Sequence, residues 1–501
     1  MKASKILSPS GEPFRTRQHV GQQNLRGSWD AASTSRENMN HWAQVDDRDP
    51  NSSVNSTVRK ILRGRARYEV KNNSYLRGMI STKTNYVVGT GPRLQMSLGD
   101  PARNKQIELA WQAWMRETDF CHKLWVLYFA EVQDGESIGI FITDRNLDGP
   151  ASLNLRVLEA DYVSDTPFLV YDQWFEYDPL RMDGMKLDNN GNVKSYHILR
   201  YHPGGYFYWT NEEYKKYGKW VNADQVCHLY REDRPGQRRG ITHIAQALPL
   251  LAILRRHTLA TLETAESAAN VSLFLRSDAA ATEETVAEVD QFLSIPFVRN
   301  QLFSLPYGWD LSQLRVEQPS QSFREFHKQI VAESARCLDL PYNIASADSS
   351  EHNFASGRLD NQTFYKAVEI ERKTLCAQVI EKTFRMWLRE YLASTSGVFP
   401  DDIALEGYEH TWGFDPFPYI DPAKEAAATK TYWEMGLITD ADFLLSRNKD
   451  PETHYQQLME QNRIREMNKL PRPGVAQQQI DVGDGANDAS TETESPEETD
   501  E

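Results

Sequence analysis

One stretch near the middle of the chain narrows the possible folds more than any other. From Arg234 it reads RPGQRRGITHIAQALPLLAILRRHTLATLETAESAANVSLFLRS. A basic turn carrying Arg234, Pro235, Gly236, Gln237, Arg239 and Gly240 opens into a helical run, which then falls into a β-rich stretch. Thr242 can cap the helix, and Ile244, Leu248, Leu251, Leu259 and Leu262 form an apolar seam at helical spacing. Pro249 must kink the helix or break its first turns. A helix continuous to Ala269 would span about 40 Å at 1.5 Å per residue, more than the diameter of a small domain. Its second half carries Ala260, Ala265, Ser267, Ala268 and Ala269, small residues that let a neighbouring element come close. Two readings follow: a long core helix within one domain, or one wall element of a ring or channel.

The rest of the chain is large enough to hold both. At 501 residues it has room for two to four domains with their own cores. Its formal charge of −15 gives no global attraction to nucleic acid, so any contact with DNA must be local or weak. No apolar run reaches the roughly 18 residues of a membrane span, and the Met1 end has no signal-type apolar region. Cys121, Cys227, Cys337 and Cys376 follow no pairing pattern, which fits free thiols in a reducing cytoplasm.

Along the chain the pattern is α+β. Residues 1–55 are polar, without periodicity, and read as a flexible arm. From Ser56 or Thr57, either able to act as cap, a helical run carries Val58, Ile61, Leu62, Ala66 and Val70 on one side. Arg59, Lys60, Arg63, Arg65 and Arg67 make the remaining side basic: a solvated face, or one that meets a phosphate or a partner. NKQIELAWQAWMRET is a second helix in which Trp111, Trp114 and Met115 read as core. SIGIFITDR, LNLRVLEADYV, VKSYHILRYH and QVCHLYR read as strands, with DNNGN and HPGG as turns. After the central helix come EETVAEVDQFLS as helix, NQLFSLPYGWDLSQL as strand and turn, and a helix from Gln321 stopped by Pro341. The polar loop NIASADSSEHNFASG precedes a long helical pattern from Arg358 to Ala393. Two further helices are joined through Gly436, and the residues beyond Pro471 form an acidic tail expected to be disordered.

Motifs for chemistry are sparse. The sequence has no P-loop, no H-E-x-x-H and no G-x-S-x-G, and GTGP at Gly89 is a lone turn. His197, His202, Cys227 and His228 match no metal spacing, so strand histidines satisfied by their neighbours are expected, and no cofactor or metal. Asp134 with Glu136, or Glu159 with Asp161, could serve as acid and base, although carboxylates at such turns are usually solvated.

Several segments, taken in order, resemble the portal proteins of lambda-like tailed bacteriophages. They are LRGRARYEVKNNSYLRGMISTKTNYVVGTGPRLQ, DGESIGIF, LRVLEADYV, GMKLDNNGNVKSYHILRYHPGG and, most specifically, HLYREDRPGQRRGITHIAQALPLL. NFASGRLDNQTFYKAVEIERKTL and IDPAKEAAATKTYWEMGLITDADFLLSRNKDPE extend the likeness over roughly residues 40–470. One departure is Ala355, beside Ser356, where the pattern has Ser.

The resemblance implies a portal-type fold assembled as a dodecameric ring at one capsid vertex of the virion, put together in the host bacterial cytoplasm. Double-stranded DNA would pass through it during packaging and ejection. It would dock the terminase large subunit, the major capsid protein and head–tail connector proteins, with no catalysis and no membrane contact. In the family layout residues 56–240 are wing, 241–270 a stem helix (Leu248, Leu251, Arg255, Leu259, Leu262), and 271–319 the clip. Residues 320–340 are a second stem helix, 341–357 the tunnel loop, and 358–470 tunnel helix and crown. The loop would face DNA with Ser346, Asp348, Ser349, Ser350, Glu351, His352 and Asn353. The alternatives are a metal-dependent nuclease using Asp134 or Asp161, or a head scaffold that forms no channel.

Overall fold

A computed structural model gives the structure of residues 47–164, 180–206, 218–270, 274–277, 309–312, 321–350, 354–396, 408–418 and 421–471. The arm before residue 47, most of 271–319, Glu351, His352, Asn353 and the acidic tail lie outside the described residues. A short helix α1 (Pro50–Ser53) precedes α2 (Ser56–Asn72) and α3 (Ser74–Val88). The expected single run is therefore two helices. Asn73 ends the first and caps the second through its side chain on Leu76 N. The cap of α2 is Asn55, whose side chain accepts from Val58 N, and not Ser56 or Thr57.

Strand β1 (Arg93–Met96) pairs with β11 (His410–Gly413), bringing distant parts of the chain together. Helices α4 (Pro101–Glu117) and α5 (Phe120–Asp134) follow. Trp111 and Trp114 are buried, as read, and stack 4.7 Å apart. The expected strands are present. β2 (Glu136–Thr143) lies between β3 (Leu153–Glu159) and β8 (Val226–Tyr230) in one antiparallel sheet. β4 (Arg181–Met182), β5 (Met185–Leu187), β6 (Val193–Leu199) and β7 (Gly218–Asn222) form a second, tied to the first by a Val163–Ile198 bridge. The DNNGN turn closes on Asp188, whose carboxylate accepts from Asn190 N and Asn192 N.

The central helix α6 spans Leu248–Asn270, about 35 Å. It begins six residues after Thr242, because Pro249 fits only in a first turn, where the missing N–H costs nothing. Thr242 instead serves the turn before it, its Oγ1 accepting from Ile244 N at 3.4 Å. Only the first part of α6 enters the main core: Leu251 and Leu254 are buried, whereas Leu259 and Leu262 are 54% and 60% exposed. The expected continuous seam thus loses its cover halfway along.

Strands β9 (Phe274–Ser277) and β10 (Trp309–Ser312) pair antiparallel. Helix α7 (Gln321–Arg336) packs on α6 through Phe323 and Phe326 around His257. It ends five residues before Pro341 in a turn where Leu338 N donates to Ala335 O and Asp339 has φ 56°. The loop expected at 341–357 begins as helix α8 (Tyr342–Ser346) and ends inside α9 (Phe354–Leu375). From α9 the chain passes through a π-helical segment, Cys376–Ile380, into α10 (Glu381–Ser396). Gln378 in that segment accepts from Tyr230 N at 3.1 Å and donates to Tyr230 O at 3.2 Å along the free side of β8.

Helices α11 (Pro422–Glu434), α12 (Asp440–Ser446) and α13 (Pro451–Met467) complete the chain; the last was not anticipated. Gly436, at φ 68°, ends α11 as its position suggested. Nearly half of the exposed large apolar side chains among the described residues lie between Tyr432 and Leu470.

Candidate functional site

The basic face of α2 is divided: Lys60 and Arg65 are solvated as expected, but Arg59, Arg63 and Arg67 are neither solvated nor free for phosphate. Arg59, Arg63 and Arg67 stand four residues apart, which puts them on one stripe of the helix. That stripe packs against the acids of the strand region, while Lys60 and Arg65 take the solvent side. Arg63 reaches Glu136 at 3.2 Å and Asp161 at 3.1 Å. Arg67 holds Asp134 through Nε at 3.0 Å and Nη2 at 2.5 Å, and Asp161 at 2.7 Å. Arg59 pairs with Asp183 and donates to Val54 O at 2.6 Å.

Glu136 is the centre of this hub and has no solvent exposure. Arg239 grips it in bidentate fashion, Nε to Oε2 and Nη2 to Oε1, both at 2.7 Å. The remaining Arg239 nitrogen donates to Asp183 O at 2.7 Å and Val163 O at 3.3 Å. His228 Nε2 lies 3.0 Å from Glu136 Oε2, and Tyr196 Oη lies 3.4 Å from His228 Nδ1. A neutral His228 that donates to Glu136 and accepts from Tyr196 satisfies all three groups. Burial alone would raise the Glu136 pKa, but the charge of Arg239 and the hydrogen bonds from His228 and Arg239 hold it well below the ordinary carboxylate value. Burial lowers His228, which the bond to Glu136 only partly offsets.

The glycines of the hub are there for contact. A Cβ on Gly240 would lie 1.8 Å from Gly135 O, and one on Gly135, at φ 94°, would lie 2.3 Å from Ile241 C. The two backbones touch where α5 turns into β2 and the motif leads toward α6. Gln237 holds the motif's shape: its Oε1 accepts from Asp233 N and Arg234 N, each at 3.3 Å, and its Nε2 donates to Arg239 O at 2.8 Å. Pro235 and Gly236 form the turn, with Gly236 at φ 83°. Arg234 donates to Arg48 O at 3.1 Å and Asn51 Oδ1 accepts from Arg238 N at 2.9 Å. The end of the expected flexible arm is therefore ordered on the motif. A second buried pair continues the anchoring, with His243 Nε2 2.7 Å from Glu131 Oε1.

Four segments scattered over some 180 residues of sequence thus meet at one carboxylate. Sequence reasoning quoted them all without joining them, and it took the acids for solvated groups. The regular spacing of three arginines on α2 was the available signal.

Asp134 and Asp161, the acids of the nuclease alternative, are matched to Arg67 and Arg63. Glu159, Asp161 and His202 bring ligand-type atoms within 4.8 Å of one another, but Arg67 Nη2 already sits 3.2 Å from Glu159 and 2.7 Å from Asp161. A divalent cation there would face a fixed positive charge. His197 and Cys227 lie apart from that group: His197 Nδ1 meets Ser164 O at 2.7 Å and Cys227 is buried against α10. All four cysteines are free thiols.

Of the stem residues, Leu248 and Leu251 are core, and Arg255 binds Glu69 at 2.6 and 2.7 Å while lying 5.0 Å over the Tyr68 ring. Of the loop residues, Asp348, Ser349 and Ser350 are exposed, with Asp348 Oδ1 accepting from Ser350 N at 2.9 Å. Ser346 is helical and bonded back to Tyr342 O at 2.7 Å. No described helix is long and apolar enough to cross a membrane.

The buried charges hold the chain's own elements together, and the second half of α6 stands bare of cover beside them. Residues 35–372 match the profile of the family described as "Phage portal protein, lambda family". The chain belongs to that family and is a phage portal protein. A protein of Halomonas phage phiHAP-1, named "Probable portal protein", is 23% identical over 442 residues, covering 83% of this chain and 82% of its own. Among solved structures, the neck of a native gene transfer agent (GTA) particle computed with C12 symmetry aligns at TM-score 0.42 and 13% identity, over 77% of this chain and 92% of that one. The virion of a native GTA particle aligns at TM-score 0.46 and 13% identity, over 82% and 97%. These structural likenesses are loose, and the family assignment does not rest on them.

Proposed function

We propose that copies of this chain close into a ring, dodecameric in the family layout, at one vertex of the phage capsid. Double-stranded DNA passes through its bore during packaging and ejection. Residues 56–240 act as wing and α6 with α7 as the stem. Residues 271–319 form the clip, which meets the terminase and later the head–tail connector proteins, and residues 358–470 supply tunnel helix and crown. The ring is built in the bacterial cytoplasm with the major capsid protein around it.

The observation that carries this reading is the division of α6. Leu251 is fully buried in its own chain, whereas Leu259 and Leu262 stand more than half exposed on the same helix. A monomer gains nothing by presenting such a helix to water, but a neighbour against its small residues would cover it. The exposed, lysine- and arginine-free stretch Ala347–Ser350 suits a passage for DNA of any sequence, because each phosphate contact adds affinity through counterion release. Electron microscopy of the purified protein tests the proposal: rings with a central channel are expected, and a monomer under every assembly condition would refute it.

A further inference from the structure

Helix α13 is anchored to its own chain at its first turn. Asp450 caps it, accepting from Thr453 N at 3.0 Å, and Lys105 reaches Asp450 at 3.3 Å and Thr453 Oγ1 at 2.5 Å. Beyond that anchor the helix contributes no buried residue to any core.

Its apolar side chains do not lie on one face. Tyr455, Leu458 and Met459 cluster on one side of the first half; Ile464 and Met467 cluster on the other side of the second half. At about 100° per residue the two groups point roughly 160° apart. All five are exposed, Met459 and Met467 each by 66%. Beside the second group the chain turns back through Leu470 and Pro471, leaving an open cleft of about 700 Å³ lined by Ile464, Leu470 and Pro471 together with Gln457, Glu460, Gln461 and Arg465.

A helix serving a single partner, or lying on its own domain, needs one apolar stripe. Two opposite stripes, both uncovered, call for two occupants of similar chemistry. A ring of identical chains supplies them, because each subunit uses two different surfaces, one toward each neighbour. A two-fold dimer would pair one patch with itself and leave the other bare.

We propose that α13 is an inter-subunit bridge: Tyr455, Leu458 and Met459 pack on one neighbouring copy, and Ile464 and Met467, with the cleft beside them, on the copy at the opposite side. This rests on the ring reading and adds which surfaces close it.

The test uses the full chain in two variants. One carries Tyr455→Gln, Leu458→Gln and Met459→Gln; the other carries Ile464→Gln and Met467→Gln. Each should melt with the wild type by circular dichroism at a concentration low enough that the wild type is also monomeric. Native mass spectrometry should show both as monomers at concentrations where the wild type forms rings. Mixed one to one, each still offers the surface the other lacks, so a discrete two-chain complex should form and grow no further. Rings from either variant alone would overturn the bridge while leaving the ring intact. So would a lowered melting point, which would mean the face packs within its own chain, or a mixture that stays monomeric. A wild type that never forms rings would instead remove the reading on which the bridge rests.

Discussion

Replacing Glu136 by Gln changes almost no volume and removes one charge. That charge is fully buried and gripped by Arg239 at two positions of 2.7 Å, with Arg63 at 3.2 Å and the Gly240 N–H at 3.3 Å. The substitution leaves Arg239 in the interior without its bidentate counter-charge, while Arg63 keeps Asp161 at 3.1 Å. Removing one partner of a buried ion pair costs about 3–5 kcal/mol, because the other charge stays desolvated. Glu159→Gln is the matched control. Glu159 also meets Arg67, at 3.2 Å, but is half exposed, so about 0–1 kcal/mol is expected. Urea titration of the unassembled subunit, at constant slope, gives both values. A second comparison removes Arg239 as well, by Arg239→Met. The double variant should cost less than the sum of the single ones by about 0.5–3 kcal/mol, since Arg239 no longer lacks a partner. A Glu136→Gln cost below 1 kcal/mol, or strict additivity with Arg239→Met, would refute the hub as the anchor of the central helix.

Four further outcomes are expected. Gly240→Ala drives a methyl group into Gly135 O, so soluble expression should fall sharply, whereas Gly64→Ala, with open space around it, should be tolerated. Leu254→Ala should cost the subunit about 2–5 kcal/mol in urea titration, as a buried core truncation; Leu262→Gln should leave that titration unchanged and reduce ring formation in electron micrographs. Ala260→Gly should cost about 1 kcal/mol of local helix stability and impair assembly or DNA retention, and normal packaging by this variant would contradict the stem role of α6. Because burial lowers the folded-state pKa of His228, the unfolded chain takes up that proton first. Stability should therefore fall as pH drops from about 6.5 toward the lowered value, and His228→Asn should flatten that part of the profile.

Much of the architecture was legible because local rules act locally. The strand character of SIGIFITDR and LNLRVLEADYV, and the core placement of Trp111 and Trp114, belong to single elements and are present as read. What failed depends on partners far along the chain. Nothing in the basic run of α2 says that Asp134, Glu136 and Asp161 lie opposite it, so a buried face read as a wet one. Pro249 carried the correct start of α6, but Thr242 was the more conventional cap and drew the boundary six residues early. The seam through Leu259 and Leu262 is apolar as read, but that it stands exposed in the subunit is not a property of periodicity. Helix α13 escaped notice for the same reason, since apolar groups on opposite sides cancel the pattern that reveals a helix. The order of the motifs carried the family, while one reason for them, a carboxylate in DGESIGIF that two other motifs reach through Arg63, His228 and Arg239, became visible only in three dimensions.

The side-chain amide of Gln378 meets both the N–H and the C=O of Tyr230, the two groups a further strand would use. It acts as a one-residue counterfeit of a strand, offered from the turn of a helix that is locally wound wide. Blocking that margin of β8 removes one place where the backbone of another chain would add itself as a strand.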